Sequence, residues 1–331
     1  MTARVIHWLG AHDALPPGRN LLGGVAYGGG DAWGGPGPVL PVDVPVLDGE
    51  AAAASLWLTD APVRTGDYGP VRFARTDELI FGVLRIDEAN MGDTLEAATR
   101  DAYTALFQTL DACGYPTLMR AWNYLPHINR EDGGVERYRR FNAGRQAAFS
   151  ASRRPLAGKV PAACALGTGG GELSIAFLGS VNPFVPVENP RQVSAYHYPP
   201  EYGERSPTFS RAGLARIGGR DALLVSGTAA IVGHRSLHSG DVMAQADETL
   251  ANLAAVVEAA NAYPGARRHA MDALDYTVYV RHAADAPAVL ARLRAAVGAG
   301  ARVVCVQADV CRAELLVEIE AMGGLDAKET P

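Results

Sequence analysis

From Glu78 onward the apolar pattern runs twice through one order: strand, long helix, strand, helix, two strands. In the first pass ELIFGVLRID (78–87) reads as a strand. Asp93 then caps a helix, with Glu96 three residues on as a capping box. Leu95, Ala98, Ala102, Leu106 and Leu110 follow at helical spacing. TLMRAWNYLPHIN is a second strand, VERYRRFNAGRQAAF a second helix, and PAACALGTGGGELSIAFLGS a hairpin turned on glycines. In the second pass DALLVSGTAAIVG is a strand, and DVMAQADETLANLAAVVEAAN is a helix with Ala246, Leu250, Leu253, Val257 and Ala260 on one face. DYTVYVRH alternates in period two, PAVLARLRAAVG is a helix, and VVCVQADV with ELLVEIEAMG closes as a strand pair. A chain that repeats this order is expected to fold as a duplicated α+β sandwich, each half a mixed sheet with helices on one face. Residues 1–188 form the first half, opening with an irregular Gly- and Pro-rich extension of loops and a few strands, and residues 189–331 form the second.

The second half opens on NPRQVSAYHYPPEYGERSPTFSRA (189–212), which sets Arg191, Arg205 and Arg211 among Tyr196, Tyr198 and Tyr202. Pro199, Pro200 and Pro207 exclude a long regular helix. The density of Arg and Tyr also makes it a poor neutral linker.

Several function classes are disfavoured by composition. A net charge of −6 speaks against a nucleic-acid partner. No apolar run reaches the roughly 18 residues of a membrane span, and MTARVIHWLGAHD lacks the apolar core of a signal peptide. Cys113, Cys164, Cys305 and Cys311 show no CxxC spacing, which points to reduced thiols and a cytoplasmic location. Lysine occurs only at Lys159, in a Pro/Gly loop, and at Lys328, in the C-terminal tail, which argues against Schiff-base chemistry. GTGGG (167–171) lacks the GK[ST] ending of a phosphate loop, His234 and His238 have no third metal ligand nearby, and His127 reads as a packed histidine. GxSxG is absent, so no Ser-His-Asp arrangement has motif support.

LLVSGTAAIVG, QADETLANLAAVVEAA, YTVYVRH and LLVEIEAMG, within Leu214–Gly323, resemble the YjgF-like reactive-intermediate deaminase fold. That fold alone does not define a function. RAWNYLPHIN, YRRFNAGRQAAF, the 189–212 segment, VSGTAAIVGH and CRAELLVEIE together resemble the chorismatases, which are built from two YjgF-like (chorismate-mutase-like) halves. The resemblance runs from about Glu78 to the C-terminus. It implies an enzyme without metal or cofactor that takes chorismate, releases pyruvate, and leaves a hydroxybenzoate or a dihydroxycyclohexadiene acid. The specific expectation is 3-hydroxybenzoate, with 4-hydroxybenzoate as a second product. The simple hydrolase, stopping at the diene acid, is the close alternative. A YjgF-like metabolite-binding or imine-hydrolysing protein is the alternative of another class. Val303 weighs against it, since it stands where that family carries a substrate-binding arginine, and the neighbouring Arg302 falls on the opposite face of a strand. The resemblance leaves monomer and homotrimer both open.

Chorismate carries two carboxylates, and arginine grips a carboxylate through two parallel N–H bonds. Arg145 and Arg211 match the family's motifs for this task. Tyr196 and Tyr198 share a face if the segment is extended and would donate to a carboxylate or ring hydroxyl, making the segment a substrate wall. The plainer reading is a solvated helix arginine at 145 and loop tyrosines with wet hydroxyls; Arg191, Arg205, Arg139 and Arg140 are assigned to solvent. Cleavage of the enol ether needs a general acid with a raised pKa. The resemblance assigns this to Glu318, which alternation places with Leu316 and Glu320 on one face of LLVEIEAM; a solvent-facing strand edge is the plain alternative. Cys311 matches a cysteine near the site of hydroxybenzoate-forming members, and Ala229 and Ala230 lie where side-chain size separates product classes.

Overall fold

The strand Val317–Gly323 is buried along its whole length, and its alternation organises the molecule around it. Val317, Ile319 and Ala321 pack against helices, while Glu318, Glu320 and Met322 turn to the opposite face. A computed structural model of the protein describes residues 4–11, 18–29, 35–50, 52–88 and 94–325.

The duplication is present and extends to strand order. One sheet runs Arg64–Tyr68, Val71–Arg75, Leu79–Ile86, Leu173–Ser180, Thr117–Pro126, Ala162–Thr168. The other runs Phe184–Val187, Ala212–Ile217, Arg220–Thr228, Val317–Gly323, Leu274–Val280, Val303–Gln307. In each set of six the last strand in the chain is inserted at the fourth place, and the last two places form the parallel pair. Two expected hairpins are therefore corrected. Ala162–Thr168 and Leu173–Ser180 do not pair, because Thr117–Pro126 lies between them. Val303–Gln307 and Val317–Gly323 are likewise separated by Leu274–Val280. Sequence neighbours suggest a hairpin, but a helix on one face requires the parallel crossover that displaces the final strand.

Helices α1 (Leu95–Cys113) and α2 (Arg137–Ala151) cover the first sheet; α3 (Val242–Asn261) and α4 (Ala286–Val297) cover the second. The five residues expected on the α3 face are all buried. The α1 cap is supplied by Thr94, whose hydroxyl accepts from the Ala97 amide; Asp93, like Lys328, lies outside the described residues. No helix among the described residues is long and apolar enough to cross a membrane.

Ahead of the repeats, Val5–Ala11, Asn20–Tyr27, Val39–Val42 and Ala53–Thr59 form a separate four-stranded sheet where loops and a few strands were expected. Its Tyr27 and Trp57 join Trp122 and Tyr124 of the first sheet and Tyr279 and Met322 of the second in one core. At its centre the hydroxyls of Tyr27, Tyr124 and Tyr279 lie 3.1–3.4 Å apart. Tyr279 also donates to Glu320, which is ion-paired with the buried Arg120.

A second tie fastens the N-terminal sheet. The His7 ring bridges Ser55 Oγ at 2.8 Å and Asp275 Oδ2 at 2.9 Å, and Arg302 donates to both Asp275 oxygens at 2.7 and 2.6 Å. Ser, His and Asp thus meet although no motif announces them. The adjoining cavity of about 10 Å³ has room for a water and not for an acyl substrate. Burial raises the Asp275 pKa, but the bonds from His7 and Arg302 outweigh it and hold the carboxyl below its usual range. Asp275→Asn is expected to cost about 2–4 kcal/mol in denaturant unfolding at neutral pH. Because the folded-state pKa is depressed, this contribution is complete above the ordinary carboxylate pKa of about 4 and disappears as pH falls below it. Wild type and variant should therefore converge in acid.

Candidate active site

The two halves meet where Ser226 Oγ accepts from the Ala163 amide at 2.9 Å and donates to the Ser210 carbonyl at 2.6 Å. Beside this seam lies a cavity of about 490 Å³, in the range of small-molecule sites. Its walls come from α2, the edge strand Ala162–Thr168, the 189–212 segment, the end of Arg220–Thr228, the strand Val317–Gly323 and the loop between Ala308 and Leu316. That loop reaches the site because Asp309–Val310 crosses over and pairs with Gly167 and Leu166 of the first sheet. It delivers Cys311 and Arg312 to the cavity.

Glu318 is buried in the cavity wall rather than at a solvent-facing edge. Burial pushes its carboxyl up to about 8, with the Arg120 and Arg211 charges pulling the other way. At neutral pH it therefore holds a proton. Glu320 shares its face but not its surroundings: both its oxygens accept bonds, from Arg120 and Tyr279. A β-bulge between Val225 and Thr228 brings Gly227 against Glu318. A methyl group on Gly227 would fall 1.9 Å from Glu318 Oε1, so glycine here makes the room that the carboxyl occupies.

Arg145 and Arg211 are both buried and both line the cavity, which overturns the solvated-helix reading of Arg145. Arg145 lies over the Phe141 ring and donates to Asn142 Oδ1 at 3.1 Å. Arg211 donates to the Val193 carbonyl at 2.8 Å and to the Tyr198 hydroxyl at 2.6 Å. The Nε of each finds no protein acceptor, and among the described residues neither guanidinium is ion-paired. A buried cation without a counter-charge is costly, and an anionic ligand would offset that cost.

The 189–212 segment forms part of the wall as two short 3₁₀ turns, Ala195–His197 and Pro200–Tyr202. The first turn separates the two tyrosines expected to share a face, since 3₁₀ geometry rotates the chain by a third of a turn per residue. Tyr198 faces the cavity, whereas Tyr196 lies outside its lining, against His197 and Glu188. Ala230 is also outside the lining; it is fully buried in a small cluster with Ile231, Val310 and Leu315, while Ala229 and Gly227 reach the cavity. Burial and the neighbouring Glu318 push the Cys311 thiol up to about 12, so it is an uncharged part of the wall at neutral pH.

Three participants escaped the sequence reading. Arg312 lies 3.9 Å from the Tyr202 ring centroid and donates to the His234 carbonyl and Ser236, leaving a buried Nη2 without a protein partner. Tyr138 lines the cavity, and its 138, 142, 145 spacing with Asn142 and Arg145 along α2 was the available signal. Gly227 carried no signal, since its part depends on a bulge. Arg139, assigned to solvent, stands at the cavity and donates to the Glu201 carbonyl. Arg191 is engaged by Glu248 and Asn252. His234 and His238 face different carboxylates, Glu201 and Glu248, and Arg302 is bound to Asp275 away from the cavity.

The chain is similar to known proteins over most of its length. Residues 55–179 match the family model described as chorismatase FkbO/Hyg5-like, N-terminal. A 3-hydroxybenzoate synthase of Streptomyces hygroscopicus is 36% identical over 95% of this chain and 94% of its own. A chorismatase of Streptomyces rapamycinicus is 38% identical over 81% of each chain. A chorismatase crystal structure superposes with a TM-score of 0.87 at 33% identity, covering 98% of this chain and 100% of the other. With near-complete coverage by these relatives, the chain belongs to the chorismatase family.

Proposed function

We propose that the protein is a chorismatase that converts chorismate to 3-hydroxybenzoate and pyruvate, with Glu318 as the general acid. The observation that carries this reading is a buried carboxyl, Glu318, in the same cavity as two buried arginines with no ion-pair partner among the described residues. Arg145 and Arg211 hold the two substrate carboxylates, and Tyr198 orients Arg211 through its hydroxyl. Glu318 transfers its proton to the methylene carbon of the enolpyruvyl group, and the electron pair of the C=C bond forms the new C–H bond. The adjacent carbon becomes an oxocarbenium centre, which the carboxylate-binding cations do not stabilise. The neighbouring ring hydroxyl attacks that carbon and gives up its proton. The bond from the ring to this second oxygen then breaks, the ether-bearing ring carbon loses its hydrogen as a proton, and the ring becomes aromatic. The resulting hemiketal divides into 3-hydroxybenzoate and pyruvate. Hydroxybenzoate and pyruvate together contain the atoms of chorismate with no added water, whereas the diene acid requires one water. The 3-hydroxybenzoate product is supported by the similarity to the synthase of that name and by Cys311 in the cavity wall. Cys311, neutral at the pH of the reaction, acts here through its shape and not as a thiolate.

Incubation with chorismate, with pyruvate quantified and aromatic and diene acids separated by chromatography, should give 3-hydroxybenzoate and pyruvate in equal amounts. Diene acid in place of the aromatic product would assign the hydrolase, and no pyruvate from folded protein would refute the chorismatase reading. Glu318→Gln should lower kcat by about 10²–10⁴-fold while chorismate still binds in calorimetry. Since the working form is the protonated acid, kcat/KM should be level below pH 8 and fall as pH rises through about 8. Arg211→Ala should raise KM by about 10–100-fold, and an unchanged KM would remove Arg211 from the site.

A further inference from the structure

Glu318 has a second carboxylate two residues along its strand and on the same face, yet the two have different partners: Glu318 stands in the cavity wall, and Glu320 accepts from Arg120 and Tyr279. The difference lies in Arg120. This residue projects from Thr117–Pro126 into the space between the sheets, over the Trp122 ring. Its Nη1 donates to the Val225 carbonyl at 2.7 Å, its Nη2 is ion-paired with Glu320, and its Nε has no protein acceptor. Tyr279 donates to the other Glu320 oxygen. Two donors, one of them a cation, fix Glu320 as an anion.

The groups facing Glu318 come from every neighbouring element. They are Arg120, Tyr138 of α2, Cys164 of the edge strand, Arg211 of the 189–212 segment, Cys311 of the crossing loop, and Tyr279, its register partner. Burial keeps both thiols and both phenols in their neutral forms. Arg120 and Arg211 are thus the charges that bear on Glu318, and Glu320, on the same strand face, is paired with the first of them. Unopposed, two buried guanidinium groups would draw the proton from a neighbouring carboxyl.

We propose that Glu320 is a positioning residue for the reaction: held between Arg120 and Tyr279, it cancels the Arg120 charge and so keeps Glu318 in the acid form that donates the proton. This rests on the reading of Glu318 as the general acid. The Arg120–Glu320 pair acts on the chemistry through Glu318 alone and does not touch substrate.

The test is the pH profile of kcat/KM in three variants, alongside Glu318→Gln. Glu320→Gln leaves Arg120 uncompensated, and its alkaline limb should move down by about one pH unit or more. Glu320→Asp keeps the charge and should keep the limb in place even if kcat changes. Arg120→Met combined with Glu320→Gln removes both charges and should return the limb to within about half a unit of wild type. A purely structural role for Glu320 would lower kcat without moving the limb. An unmoved limb in Glu320→Gln, with Glu318→Gln inactive, overturns this inference and leaves the acid standing. An active Glu318→Gln overturns the acid itself. If Glu320→Gln does not fold, carboxyl-labelled glutamate NMR of the wild-type protein decides. The inference requires an ionised Glu320 resonance at neutral pH beside a protonated Glu318, and a protonated Glu320 there overturns it.

Discussion

The ion pair between Arg120 and Glu320 lies where the three larger sheets among the described residues converge. Arg120 belongs to the first repeat, Glu320 and Tyr279 to the second, and Tyr27, which bonds to Tyr279, to the N-terminal sheet. A buried ion pair seldom adds net stability over an apolar replacement, but losing one partner leaves a charge in the core. Arg120, Glu320, Tyr279 and Tyr27 instead tie the sheets together at one buried point, with Arg120 Nε left without a protein acceptor. Apolar residues such as Trp122, Leu224 and Val304 supply the burial, which is non-directional, and the network adds directional bonds between the sheets.

That docking also builds the cavity. No single half contains it: Arg145 and Tyr138 come from one repeat, Glu318, Cys311 and Arg211 from the other. The site gathers two groups in states that water would not favour, cations without ion-pair partners and a carboxyl that keeps its proton. Each is costly in the folded protein and is held there by the surrounding sheets. A ligand with two carboxylates would relieve the first, and a reaction needing a proton at neutral pH uses the second. The bulge at Gly227 belongs to the same economy of space, since a side chain there would displace the acid.

The repeat was legible because each element carries its own period. Leu95 through Leu110 and Ala246 through Ala260 mark helix faces, and alternation in LLVEIEAM correctly put Glu318 and Glu320 together. The motif residues Arg145, Arg211, Glu318, Cys311 and Tyr198 were named from resemblance, and the fold gathers all five at one cavity. Tyr196 and Ala230 were misplaced for a local reason, a 3₁₀ turn in one case and burial behind the wall in the other.

Periodicity is local, so the sequence by itself determined which residues form strands and helices, which face each buries, and that the order occurs twice. It could not decide which strands pair, because the final strand of each repeat inserts between strands formed earlier, and pairing energy depends on neighbours far along the chain. Nor could it decide the surroundings of two glutamates that share one strand face. Glu318 and Glu320 differ only in what faces them: a cavity wall in one case, Arg120 and Tyr279 in the other. Charge state is set by surroundings within a few ångströms, and those surroundings exist only once the three sheets have closed on one another.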